Sequence, residues 1–106
     1  MSLSVVPCGE LAAAVAAHPL VLVDVFTKLC QPCKALAPEL ERLERTFAGR
    51  LVVKAIDFDE CPDEVDALGV TNIPTLVLFQ DGEEVDRRIG ALPRPMLERW
   101  VQEFAG

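Results

Sequence analysis

The chain has 106 residues, of which 51% are hydrophobic and 25% are charged. This composition is typical of a soluble globular protein, and a chain of this length can bury an ordinary core without disulfide support. The formal net charge of −7 argues against nucleic acid as a partner, because phosphate binding requires clustered basic residues. We therefore expect a single domain that spans residues 1–106.

Two features predict a cytoplasmic location. No Lys or Arg precedes Lys28, so the positively charged segment that begins a secretory signal is missing. The apolar stretch over residues 11–26 is interrupted by Pro19 and Asp24 and is too short to span a bilayer. We expect no membrane association. In a reducing compartment, a C-x-x-C pair indicates a catalytic or metal-binding site.

Hydrophobic periodicity together with helix and turn signals predicts nine elements in the order β-α-β-α-β-α-β-β-α. Asp81-Gly82 is the strongest short hairpin signal, and Gly69 is placed to end a helix. The predicted strands are residues 4–6, 20–27, 51–57, 75–80 and 83–89, and the predicted helices are residues 10–18, 33–49, 60–68 and 93–105. This order predicts an α/β fold, in which a mixed sheet carries helices on both faces.

The motif Cys30-Gln31-Pro32-Cys33 lies between a predicted buried strand and the longest predicted helix. Unpaired backbone N–H groups and the positive end of the helix dipole gather there, and both stabilise a thiolate. The second cysteine is one helical turn away, close enough to form a disulfide. The motif therefore predicts thiol–disulfide exchange, with Cys30 as the nucleophile and Cys33 as the resolving thiol.

A metal site is the main alternative use of these thiols. Tetrahedral zinc needs four ligands, and the sequence contains neither a second C-x-x-C nor an H-x-x-x-H motif. A site that borrows Cys8 and Cys61 stays open, but we expect no metal. Four cysteines allow three pairings, of which only Cys30–Cys33 is implied locally. For Cys61 a buried, inert cysteine that packs as a small hydrophobic residue is the simpler interpretation, and a regulatory thiol is the alternative for both Cys61 and Cys8.

The chain resembles the thioredoxin family over nearly its whole length, and five motifs occur in the family's order. They are the buried strand with Asp24, the Cys30–Cys33 motif followed by Lys34 and Pro38, the position of Lys54, the segment Ile73-Pro74-Thr75, and Gly90-Ala91. The resemblance implies a thioredoxin fold, with a central mixed sheet of four to five strands flanked by helices on both faces.

The resemblance also implies a role for Asp24, which sits among apolar neighbours where a charge is costly to bury. The functional interpretation is a carboxyl group that transfers a proton to or from Cys33. The resemblance places Lys54 opposite this carboxyl group. A salt bridge between Asp24 and Lys54 is the structural alternative, and it is compatible with proton transfer.

The substrate groove is implied by the resemblance as well. Pro74 is expected to follow a cis peptide bond, so that the backbone of Ile73 is presented to an extended substrate segment. Gly90 and Ala91 are expected to complete this groove, and Leu29 to border it.

Two residues depart from the family's usual pattern. Leu29 stands where the family usually has tryptophan, and Gln31 stands where it usually has glycine. Gln31 and Pro32 lie between the two cysteines and are both uncharged, so we assign them a supporting role. Because both departures border the thiols, they leave the choice of partner and the redox potential open.

The resemblance implies a monomeric protein disulfide reductase that maintains cell redox homeostasis. Such a protein binds no cofactor and receives electrons from NADPH through a separate, thioredoxin-reductase-like flavoprotein. Two alternatives stay open. One is a disulfide oxidant or isomerase of the same fold, and the other is a client-binding module with little turnover. The intact pair Cys30 and Cys33 argues against the binding module, which would not need both thiols.

Overall fold

The computed structural model describes residues 3–106, which form a five-stranded sheet with four helices. The elements are β1 (Ser4–Val5), α1 (Leu11–Ala16), β2 (Leu20–Phe26), α2 (Gln31–Thr46), β3 (Val52–Asp57), α3 (Pro62–Ala67), β4 (Thr75–Gln80), β5 (Glu83–Ile89) and α4 (Arg94–Ala105). This order confirms the sequence prediction. Within the described range, no helix is both long enough and apolar enough to cross a bilayer.

The strands are arranged in the order β1-β3-β2-β4-β5. β1 and β2 run parallel to β3, whereas β4 runs antiparallel to both β2 and β5. The β4–β5 turn is made by Asp81 and Gly82, with φ values of 54° and 84°. Two successive positive φ values are what a tight hairpin needs, which explains the Asp-Gly signal.

Helices cover both faces of the sheet, as the mixed-sheet prediction requires. The core on one face joins the sheet to α2 and α4, and the core on the other face joins it to α1 and α3. β2 lies between β3 and β4, which explains why its apolar run is nearly continuous. Along β2, Leu20 and Leu22 face α2 and α4, whereas Val21, Val23 and Val25 face α1 and α3.

Local signals explain most helix ends, although α3 differs from its prediction. Cys30 is the N-cap of α2, and Pro38 lies inside this helix without ending it. α3 begins at Pro62 with Cys61 as its N-cap, rather than at the predicted residue 60. The buried Asp57 carboxylate accepts hydrogen bonds from the backbone N–H groups just before α3.

Candidate active site

The two active-site cysteines form a disulfide at the N-terminus of α2, with 5.2 Å between their Cα atoms. Cys30 precedes the first helical residue, and its Sγ accepts a hydrogen bond from the backbone N–H of Cys33 at 3.1 Å. Cys30 is half-buried, whereas only 4% of Cys33 is exposed. The helix therefore presents one sulfur to solvent and shields the other.

Asp24 lies beneath this pair, on the face of β2 that is packed against α2. Only 2% of the residue is exposed, and its Oδ1 has no hydrogen-bond partner. Burial raises the pKa of Asp24 from 3.8 to about 7, because desolvation disfavours the charged carboxylate. Asp24 and Cys33 line the same cavity of about 280 Å³, so a proton donor or acceptor lies beside the buried thiol.

The expected pairing of Asp24 with Lys54 is wrong. On β3, Ala55 lies opposite Asp24, and Lys54 lies opposite Val23. Because alternate residues of a strand face opposite sides, Lys54 points away from Asp24 and its Nζ donates to Ser4 Oγ at 3.3 Å. Among residues 3–106, no salt bridge involves Asp24.

Lys28 ties the loop before the active-site disulfide to the β3–α3 connection. Its Nζ donates to Glu60 Oε1 at 3.0 Å and lies 4.0 Å from Asp57 Oδ2. The hydrogen bond to Glu60 is the largest of the effects that raise the pKa of Lys28. These contacts could not be predicted from the sequence, because the residues that make them are about thirty positions apart. Both contacts hold the ammonium group of Lys28 close to the carboxylates of Glu60 and Asp57.

The Ile73–Pro74 peptide bond is cis, as the family resemblance implied. Thr75 of β4 pairs with Val25 of β2, which places Pro74 at the same end of the sheet as the disulfide. The backbone N–H of Gly90 donates to the Pro74 carbonyl at 2.8 Å. The predicted groove segments are thus joined to each other at the sheet end that carries the cysteines.

Apolar side chains are exposed at this same end of the molecule. Leu29 is 89% exposed, and Ile89, which pairs with Thr75 at the end of β5, is 62% exposed. Ile73 is half-buried and Ala91 is exposed. Ile89 was not among the predicted groove residues, although its position next to Gly90 at the end of a predicted edge strand was the available signal. These residues leave apolar surface available for a partner.

Cys8 and Cys61 form a second disulfide, with 5.3 Å between their Cα atoms. Cys61 is 5% exposed and belongs to the core shared with α1 and α3, so its predicted burial is confirmed. The sequence left the pairing of Cys8 and Cys61 open, and the structure joins them to each other. The bond joins the β1–α1 connection to the start of α3, and the separation of 53 positions between the two cysteines left no local signal of this pairing.

Comparison with known proteins identifies the family to which the chain belongs. The thioredoxin family model matches residues 5–103. The chain belongs to the thioredoxin family. It is 40% identical over 83 residues to thioredoxin C-2 of Corynebacterium nephridii, and the aligned region covers 78% of this chain and 77% of that protein. It is 43% identical over 86 residues to the thioredoxin of Chlamydia caviae, covering 81% and 83% of the two chains.

The structural comparison agrees with this assignment. A mutant thioredoxin from Halobacterium salinarum superimposes with a TM-score of 0.89 at 33% identity, over 98% of this chain and 90% of that one. The oxidised thioredoxin of Plasmodium falciparum gives a TM-score of 0.88 at 28% identity, over 99% of this chain and 100% of that one. The thioredoxin fold predicted from the sequence is therefore confirmed.

Proposed function

We propose that this thioredoxin family member reduces protein disulfides through Cys30 and Cys33. The Cys30 thiolate attacks one sulfur of a substrate disulfide, forming a mixed disulfide and releasing the other substrate sulfur as a thiolate, which is then protonated. Cys33 then attacks Cys30 Sγ, which releases the second substrate thiol and closes the Cys30–Cys33 disulfide. Two electrons pass to the substrate in each cycle.

The single observation that carries this function is the position of the two sulfurs at the α2 N-terminus. Cys30 is the more exposed sulfur and caps the helix, where the Cys33 N–H donates to it at 3.1 Å. A backbone donor and the helix dipole both favour the thiolate over the thiol. Cys33 is too buried to meet a substrate, so it acts only after the mixed disulfide has formed.

Asp24 is the proposed proton acceptor for Cys33. A buried thiol attacks poorly until it loses its proton, and Asp24 lines the same cavity as Cys33. With a pKa of about 7, Asp24 is divided between its two protonation states near neutral pH, which suits a group that takes and returns a proton. Gln31 and Pro32 shape the turn between the cysteines without adding charge.

Substrates and the reductase share one docking surface in this proposal. Leu29, Ile73 and Ile89 supply apolar contact, and the backbone of the Ile73–Pro74 segment pairs with an extended chain beside the disulfide that is to be reduced. Gly90 and Ala91 complete this surface. The reductase is proposed to be a flavoprotein that uses NADPH. No cofactor is needed on this chain, because the two thiols themselves carry the electrons.

NADPH-coupled reduction of insulin tests this function. With a compatible flavoprotein reductase, the chain should oxidise NADPH when insulin is supplied, and Cys30→Ser should abolish this turnover. Fast oxidation of a reduced substrate with weak insulin reduction would favour the oxidant or isomerase. Insulin binding without NADPH consumption in the intact protein would favour the client-binding module. We further propose that the chain acts as a monomeric, single-domain protein of the cytoplasm.

A further inference from the structure

The Cys8–Cys61 disulfide lies outside the proposed catalytic cycle, and its two residues differ sharply in exposure. Cys8 is exposed, whereas Cys61 is 5% exposed and packs in the core with Leu11 and Val65. Thiol–disulfide exchange requires a thiolate to reach one sulfur while the other leaves. An external thiolate can therefore attack Cys8, with Cys61 as the leaving group, and the reverse order is blocked by burial.

Cys61 is poorly suited to carry a negative charge once the bond has opened. A carboxylate oxygen of Glu64 and the sulfurs of Cys8 and Cys61 all lie within 4.8 Å of one another. Glu64 cannot easily turn away, because it accepts hydrogen bonds from the backbone N–H groups of Gly9 and Leu11. Burial and a neighbouring negative charge both favour the neutral thiol of Cys61, which is a weak nucleophile.

Cys8 also contacts the segment just before α3. Its Sγ lies 3.2 Å from the carbonyl oxygen of Glu60, to which a reduced Cys8 thiol could donate a hydrogen bond. Glu60 also accepts from Lys28, in the loop that precedes the active-site disulfide. The second disulfide is therefore linked by two contacts to the segment that carries Cys30, although it needs none of the catalytic thiols for its own chemistry.

We propose that Cys8 is a site of S-thiolation by small thiols such as glutathione, with Cys61 as its slow, buried partner. A glutathione thiolate attacks Cys8 Sγ, the Cys8–Cys61 bond breaks, and the Cys61 sulfur takes a proton from solvent as it leaves, so that Cys61 is released as a neutral thiol. A second glutathione thiolate can then attack the glutathione sulfur, which frees Cys8 and releases glutathione disulfide. Alternatively, Cys61 loses its proton and attacks Cys8 Sγ, which restores the Cys8–Cys61 bond and releases glutathione as a thiolate.

The test maps the adduct in a Cys30→Ser/Cys33→Ser background, in which only the second disulfide can react. The folded protein is incubated with excess glutathione and EDTA, quenched with acid and analysed by peptide mass mapping. EDTA is included because the freed sulfurs and Glu64 lie close enough to capture a metal ion. We expect the glutathione adduct on Cys8 alone. An adduct on Cys61, or no opening until the protein unfolds, would contradict the proposal.

Single variants in the same background separate access from reactivity. In Cys61→Ala, Cys8 should react with Ellman's reagent at least about tenfold faster than Cys61 does in Cys8→Ser. Equal rates would refute one-sided attack. Glu64→Gln should speed the loss of the Cys8 adduct by closure with Cys61, because it removes the negative charge that disfavours the Cys61 thiolate. Unchanged closure would contradict the part that Glu64 plays.

Discussion

Asp24 on β2 and Ala55 on β3 lie directly opposite each other, so the buried carboxyl group has a methyl group as its neighbour on β3. Oδ1 of Asp24 has no hydrogen-bond partner, and among residues 3–106 no cation forms a salt bridge with it. No hydrogen bond to Oδ1 and no cation therefore offsets the cost of removing the charged carboxylate from water, and this desolvation raises the pKa of Asp24 to about 7. This carboxyl group and Cys33 line one cavity.

Replacing Asp24 by Asn should stabilise the protein in a pH-dependent way. Between about pH 4 and about pH 7 the folded chain holds a proton that the unfolded chain has released, so wild-type stability falls as pH rises. The amide of the variant does not titrate, and the advantage of Asp24→Asn should grow across this window and level off above it. The difference between 3.8 and about 7 corresponds to roughly 4 kcal/mol.

Denaturant unfolding at several pH values measures this effect, with the exposed Asp63→Asn as the matched control. Although Asp24→Asn should increase stability, it should lower the turnover rate, because Cys33 loses its proton acceptor in this variant. The rate of insulin reduction should fall, most strongly at the lower end of pH 6–8, where fewer Cys33 thiols ionise unaided. Unchanged activity over this range would rule out the proton-transfer role.

Alkylation of the reduced active-site pair should be strongly one-sided. In a Cys8→Ser/Cys61→Ala background, iodoacetamide should label Cys30 at least about tenfold faster than Cys33, because Cys30 is more exposed and is stabilised as a thiolate by the helix N-terminus. The pH dependence of labelling should report a thiol pKa below the ordinary value of about 8.5. Faster labelling of Cys33 would reverse the assigned roles.

Leu29 should affect docking more than chemistry. Leu29→Ala removes an 89% exposed side chain, so the fold should be unaffected, while kcat/KM for insulin should fall roughly fivefold, or about 1 kcal/mol of lost apolar contact. Reduction of a small disulfide such as Ellman's reagent should be unchanged. Val85→Ala, an exposed change nearer the hairpin end of β5, is the control. Equal loss in both variants would contradict a docking role.

The two disulfides should contribute unequally to stability. Cross-linking restricts the unfolded chain more when the enclosed loop is longer. The separations of 53 and 3 positions lead us to expect losses of roughly 4 kcal/mol for Cys8→Ser/Cys61→Ala and roughly 2 kcal/mol for Cys30→Ser/Cys33→Ser, relative to the oxidised protein. Urea unfolding of the two variants and of the oxidised protein measures both losses in the free energy of unfolding. The opposite ranking would show that strain or packing dominates.

The fold followed from the sequence because its strongest signals are local. The apolar run of β2, the Asp81-Gly82 turn and the glycine after α3 each reflect a requirement that neighbouring residues satisfy together. The position of Cys30 and Cys33 is also local, since a strand and a helix meet at that motif. These features needed no knowledge of distant contacts.

Contacts between distant segments were harder to predict. The Lys54 expectation failed because a shift of one residue along β3 moves a side chain to the other face of the sheet. The pairing of Cys8 with Cys61 could not be deduced, because sequence alone does not specify disulfide connectivity. The Lys28–Glu60 contact depends on how two loops meet, which no periodicity reports.

The uncharged turn between the cysteines indicates a reducing pair. A dithiol becomes oxidising when its thiolate form is strongly stabilised, but Gln31 and Pro32 carry no charge and Lys28 is held by Glu60 at 3.0 Å. The helix N-terminus alone contributes roughly 0.3–1 kcal/mol at exposed sites. Since about 30 mV corresponds to about 1.4 kcal/mol for this couple, that contribution changes the potential only modestly.

The equilibrium reduction potential of the Cys30–Cys33 pair tests the reductase assignment most directly. It can be measured in glutathione redox buffers by trapping the thiols at equilibrium, with the Cys8→Ser/Cys61→Ala variant reporting this pair alone. We expect a value near the roughly −270 mV that is typical of thioredoxins. A value near the roughly −180 mV of protein disulfide isomerase would contradict the assignment and favour an oxidant or isomerase.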